Sequence, residues 1–194
     1  MIFPGLGYFC SENVHAFYPF ATMNTIMFVV SVYGRAGQGV ESCVAVLAKA
    51  ASVSQLNAQS LFFPSQDLSA AVFGQVKIDK GSILSKQVED YDFALLFDRN
   101  LDTKSIITNG KERSSVILNS AEKFISPLLK KKKMRAYSLD ASGIALRAAA
   151  KPNMAMLGAF AKLYPKITLK SVRSLVEHDK AQLTALEEGY KMVK

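Results

Sequence analysis

Apolar positions fall in short runs set off by glycine, proline and charged residues, and their period changes along the chain. Residues 28–33 (FVVSVY) are almost continuously apolar and predict a buried strand. Val40, Cys43, Val44, Leu47 and Ala48 then recur at helical spacing, which predicts a helix over about 37–51. Residues 57–63 predict a second strand, stopped by Pro64. The alternation Val72, Gly74, Val76, Ile78 predicts a half-exposed strand over 72–78, with a turn at Asp79-Lys80-Gly81. A buried strand is expected at 91–97 (YDFALLF), and short strands at 115–118 and 137–139. Asp140 suits the N-cap of a helix over 141–151. Pro152 ends that helix and a second follows at 153–163. Two terminal helices are expected at 171–177 and 180–192, with Ser171 or Thr168 as a cap. Strands alternating with helices imply an α/β domain whose mainly parallel sheet carries helices on both faces.

The first strand runs into Gly34-Arg35-Ala36-Gly37-Gln38-Gly39 and then directly into the first helix. Strand, glycine turn and helix together offer backbone N–H groups and a positive helix end to an anion. The turn matches neither common nucleotide fingerprint. Ala36 stands where the dinucleotide pattern G-x-G-x-x-G has its second glycine, and Val40-Glu41 follow Gly39 where a P-loop has Lys-Ser/Thr. Taken alone, the turn is equally consistent with tight helix–strand packing.

Composition narrows the classes. A chain of 194 residues buries a full core without disulfides or metals. Cys10 and Cys43, the two cysteines, form no zinc or iron–sulfur pattern, and a reduced, cytoplasmic setting is expected. His15 and His178 have no ligand or triad partners close in sequence and read as structural. The apolar runs are strand-length or broken by charge, so no membrane association is expected. Part of the net charge of +8 is the run Lys130–Lys133 with Arg135. Such a run reads first as a solvated loop and second as a patch for an acidic partner; with no aromatics interleaved, nucleic-acid binding is not expected. Residues 1–26 form an aromatic-rich arm with one charge, Glu12. Met23 and Met27 precede the first strand, so the arm reads either as lying upstream of a later true start, the favoured reading, or as a docking arm.

Several segments together resemble one family. The stretch VYGRAGQGVESCVAVLAKAA is similar to the opening of the gamma subunit of 2-oxoacid:ferredoxin oxidoreductases, such as those acting on pyruvate and 2-oxoisovalerate. Asn153-Met154-Ala155-Met156-Leu157-Gly158-Ala159, Ile167-Thr168-Leu169, Glu188-Gly189-Tyr190 and the apolar strand DFALLFD at 92–98 resemble later segments of the same family. The likeness covers roughly 27–192 and makes 27–194 the gamma-type domain. It implies a Rossmann-like three-layer α/β/α fold with a mixed, mainly parallel sheet. It also implies a non-catalytic subunit of an enzyme that oxidatively decarboxylates a 2-oxoacid to an acyl-coenzyme A. Thiamine diphosphate and iron–sulfur clusters are then expected in alpha, beta and ferredoxin-type delta partner subunits, and coenzyme A at this chain's edge. The isolated chain is expected to be inactive and able to self-associate as a homodimer. After the second strand this chain has Ser65-Gln66-Asp67 where the family has an arginine–glycine pair.

The candidate cofactor-binding residues are Gly34, Arg35, Gly37, Gln38, Gly39, Ser65 and Gln66; no catalytic or metal-binding residue is expected. Arg35 is the best anion contact, because a guanidinium grips phosphate as a fork. Gln38 is a candidate hydrogen-bonding partner, and Ser65 and Gln66 follow a strand end, where α/β sites form. Asp98 is read as a helix cap or a partner of Arg99, Asn153 as a helix cap, and Met154 and Met156 as core. The alternatives are a stand-alone NAD-binding protein, disfavoured by Ala36 and by the lack of an acid at the end of the second strand, and an interaction module using the lysine run.

Overall fold

The computed structural model describes residues 27–65, 67 and 70–193. The arm over 1–26, with Cys10 and His15, and the candidate Gln66 lie outside the described residues. The elements run β1 (Phe28–Arg35), α1 (Val40–Val53), β2 (Asn57–Phe63), β3 (Ala71–Asp79), β4 (Tyr91–Leu96), α2 (Thr103–Thr108), β5 (Gly110–Asn119), α3 (Pro127–Lys131), β6 (Arg135–Leu139), α4 (Ala141–Ala148), α5 (Pro152–Leu163), α6 (Leu169–Val176) and α7 (Lys180–Met192).

One sheet has the order β2-β3-β1-β4-β5-β6. β1, β4, β5 and β6 pair in parallel, while β3 is antiparallel to both β1 and β2. Alternate residues of each strand enter opposite layers. Val30 and Val32 of β1 face a core with α1, α4, α5, α6 and α7, whereas Val29 joins Ala94, Leu96, Val116 and Leu118 under the short helices α2 and α3. The fold is therefore the expected three-layer α/β/α domain with a mixed sheet.

The differences from expectation have physical causes. Helix α1 starts at Val40 rather than near Gly37, because Gly37 (φ 83°) and Gly39 (φ 86°) are left-handed, a conformation that glycine alone adopts without penalty. β3 is buried rather than half-exposed. Its polar residues point at segment 81–90, which lies along it: Gln75 bonds Ser31 Oγ and both the N–H and the carbonyl of Glu89. The Lys77 ammonium, fully buried, donates to Ser85 O at 2.9 Å, to Ser85 Oγ and to Gln87 O. Buried polar groups matched this completely satisfy the chain where an apolar residue was expected to mark the inner face. The first terminal helix begins at Leu169, capped by Thr168, whose Oγ1 accepts from Ser171 N; Asp140 and Asp179 cap α4 and α7 in the same way. α4 ends at Ala148 with Ala149 left-handed (φ 53°), short of the expected end at 151.

Helices α5 and α7 cross with backbone nearly on backbone. A Cβ on Gly158 would stand 2.0 Å from Leu186 O, and one on Gly189 would stand 2.0 Å from Ala155 O. That contact anchors α5, whose first turn reaches the glycine turn of β1.

Candidate functional site

The ends of β1, β2 and β4 lie at one edge of the sheet, where ligands of open α/β folds bind. There Arg35, Ala36, Gly37, Gly39, Ser65 and Lys151 line a cleft of about 320 Å³, together with the first turn of α1 and Phe62, Pro64 and Val72. Within α1 the first backbone bond is Cys43 N–H to Gly39 O at 2.8 Å. The N–H groups of Val40, Glu41 and Ser42 thus have no acceptor within the helix and are the donors that a helix N-terminus offers, at its positive end. Arg35 and Lys151 add two cations, and Glu41 one carboxylate.

The glycines act differently from one another. Gly34 is packed: a Cβ there would meet Val40 Cγ2 at 2.7 Å and Phe97 Cβ at 3.2 Å. Gly39 is both left-handed and packed, with Asn153 Nδ2 2.8 Å from a would-be Cβ. Gly37 is left-handed but open, with nothing within 4 Å. A side chain at Gly37 therefore strains the backbone without striking strand or helix, contrary to the collision that a glycine turn suggests.

Arg35 is held in place. Its Nε donates to Asp98 Oδ2 at 2.7 Å, an ion pair between residues 63 apart in sequence, and its backbone N–H donates to Gln38 Oε1 at 2.8 Å. Asp98 pairs with Arg35, not with the neighbouring Arg99, and its other oxygen accepts from Asn100 N. Gln38 closes the turn, since its N–H also bonds Arg35 O at 3.2 Å. Ser65 lines the cleft while its hydroxyl accepts from Asp67 N at 3.2 Å. Five of the candidates thus meet at one edge with Gln38 as their brace.

Two contributors come from α5 and the residue before it. Lys151 gave no signal in sequence, standing after an alanine run and before Pro152. Asn153 does not cap α5; buried, it sends Nδ2 to Gly39 O at 3.4 Å and to Ser42 Oγ at 3.3 Å, tying α5 to the glycine turn. Its Oδ1 is buried without a partner. Asn119 braces the same edge, donating to Phe97 O and Ser142 Oγ and accepting from Ser142 N.

Among the described residues, no group of three or more His, Cys, Asp or Glu that could hold a metal ion gathers. Cys43 is fully buried, and burial pushes its thiol well above the usual range. No described helix is long and apolar enough to cross a membrane.

Comparison with known proteins gives the family of the chain. Residues 29–192 match the family described as pyruvate ferredoxin/flavodoxin oxidoreductase. The pyruvate synthase subunit PorC of Methanothermobacter marburgensis is 30% identical over 156 residues, covering 78% of this chain and 85% of that one. The pyruvate/ketoisovalerate oxidoreductases common subunit gamma of Thermococcus kodakarensis is 32% identical over 158 residues, with 78% and 85% covered. The solved pyruvate oxidoreductase subunit PORC of Thermotoga maritima superposes with a TM-score of 0.75 at 26% identity, covering 87% of this chain and 97% of that one. The chain belongs to the pyruvate ferredoxin/flavodoxin oxidoreductase family, as one of its gamma-type subunits.

Proposed function

We propose that this subunit completes the active site of a 2-oxoacid:ferredoxin oxidoreductase and helps to place coenzyme A there. The observation that carries the reading is the cleft at the glycine turn, where Arg35, Lys151 and the first-turn N–H groups of α1 converge. The braced Arg35 and the exposed Lys151 beside a helix N-terminus suit the phosphates of coenzyme A. Bound there, coenzyme A supplies the thiol that accepts the acyl group. Arg35 grips phosphate while Asp98 holds its guanidinium in register, and Gly39 lets the backbone approach. Lys151 screens the repulsion from Glu41. Ser65, which follows β2 and lines the cleft, is a further contact, and Gln66, next to it in sequence, is proposed with it.

Alpha, beta and ferredoxin-type delta subunits are the proposed partners, and they hold the thiamine diphosphate and the iron–sulfur clusters. The buried Cys43 offers no thiolate for a cluster. Alone, the chain is inactive and self-associates through the surface that its partners would cover.

The test is coenzyme A dependence in the assembled complex. Arg35→Ala loses a charged hydrogen-bonding partner of a phosphate, about 1.5–3 kcal/mol. The KM for coenzyme A should rise roughly ten- to hundredfold with kcat for 2-oxoacid oxidation little changed. Unchanged coenzyme A dependence, in a complex that still assembles, contradicts the assignment.

A further inference from the structure

A second charged surface lies at the opposite end of the parallel strands. β5 begins at Gly110 and β6 at Arg135, with Ser115 and Arg135 in register. Arg113 therefore stands two residues before Ser115, the first residue of β5 paired with β6, beside the turn that carries the lysine run. Arg113 N–H bonds Lys132 O at 3.0 Å, which joins the two segments.

Arg113, Lys130, Lys131, Lys133 and Arg135 are all exposed, and none takes part in an ion pair among the described residues. Glu112 precedes them in sequence, and Glu122 is the one acid between Arg113 and Arg135. The run is not a loose loop. Lys130 and Lys131 lie in the last turn of α3, and the buried Leu129 and Met134 pin its two sides. Lys132 turns inward, its ammonium donating to Thr108 O and Gly110 O at 2.5 Å each. Its neighbours are left facing solvent as a preorganised array, which lowers the ordering cost of docking.

Arg113 (φ 63°) and Lys133 (φ 55°), the two residues joined through Lys132, are both left-handed. Glycine or asparagine fills such positions with less strain. Gln55 and Ala149 are left-handed as well, so it is the exposed charge of Arg113 and Lys133, and not their conformation, that marks the surface.

We infer that Arg113, Lys130, Lys131, Lys133 and Arg135 form a docking surface for the acidic face of a partner protein. No aromatic residue lies within 127–135 to stack bases, which favours a protein over a nucleic acid. Since the surface is at the far end of the strands from the glycine-turn cleft, a protein bound there leaves the cleft open.

Zero-length carbodiimide cross-linking of the native complex, followed by peptide mass spectrometry, tests the inference. It predicts links from Lys130, Lys131 or Lys133 to aspartate or glutamate of another protein, unaffected by nuclease. It also predicts that Lys131→Glu with Lys133→Glu weakens retention of that protein about tenfold at low salt, and that raising salt from about 50 to 200 mM mimics the effect. Lys133→Gly, which relieves the strain, should melt at or above the parent's temperature while still weakening retention. Links only to this chain's own carboxylates, loss of the links on nuclease treatment, or unchanged retention by the charge-reversed chain would each overturn the inference.

Discussion

Replacing Gly39 by alanine probes the contact on which the cleft is built, and Gly37 provides the control. Both glycines are left-handed, at φ 86° and 83°, so an alanine at either position costs about 1–2 kcal/mol in backbone strain. Only at Gly39 does the new methyl meet protein. It would stand 2.8 Å from Asn153 Nδ2, 2.9 Å from Cγ and 3.2 Å from Cβ, against the roughly 3.5–4.0 Å of comfortable contact. Asn153 must withdraw by nearly an ångström, and it is buried on an α5 that is itself pressed against α7. Withdrawal lengthens its bonds to Gly39 O and Ser42 Oγ, already 3.4 and 3.3 Å. Overpacking of this kind costs about 1–3 kcal/mol more. Gly37→Ala should therefore lose about 1–2 kcal/mol and Gly39→Ala about 2–5 kcal/mol, read as shifts in urea midpoint at constant slope by circular dichroism. Asn153→Ala makes room, so Gly39→Ala in that background should cost no more than Gly37→Ala does. Equal losses at the two glycines, or strict additivity of Gly39→Ala and Asn153→Ala, would refute the role given to Asn153.

Two further outcomes follow from the core. Gly158→Ala and Gly189→Ala each place a methyl 2.0 Å from a backbone carbonyl of the facing helix, so each should destabilise by about 2–3 kcal/mol although alanine favours a helix by about 1 kcal/mol; a neutral effect in thermal unfolding would contradict the close crossing of α5 and α7. Burial raises the phenols of Tyr33 and Tyr164 to about 12, with nearby carboxylates Asp90 and Asp92 adding to the shift, and it raises Tyr91 as well. Their neutral forms are favoured by the fold, so the stability they contribute is full below pH 10 and is lost as the pH rises from about 10 toward 12; denaturation midpoints flat across that window would contradict it.

How much of this was legible in the sequence depends on where the signal lay. β2 and α7 have the expected bounds, because Pro64 stops one and Asp179 starts the other. The edge of the sheet was also legible, since a buried strand, three glycines and a helix-period run leave few alternatives. The short helices α2 and α3 were not, as six and five residues are too few to show a period. β5 reaches back to Gly110 through Lys111-Glu112-Arg113, which carry no apolar alternation to betray a strand. Contacts between distant segments escaped altogether. Nothing local marks Asp98 as the partner of Arg35, Asn153 as the neighbour of Gly39, or Lys151 as a wall of the cleft. The buried Lys77 misled in the same way, because its partners Ser85 and Gln87 come from a segment that has no regular structure.

The central claim is that this chain works as the gamma-type subunit of an oxidoreductase complex whose chemistry resides in its partners. Purification of the chain from its natural source at low salt, with mass spectrometry of the intact assembly and an assay of 2-oxoacid-dependent dye reduction, tests this most directly. The account predicts stoichiometric recovery of thiamine-binding and cluster-bearing subunits, coenzyme A-dependent activity in the assembly and none in the isolated chain. Recovery of the chain alone, or turnover by the isolated chain free of other subunits, would contradict it.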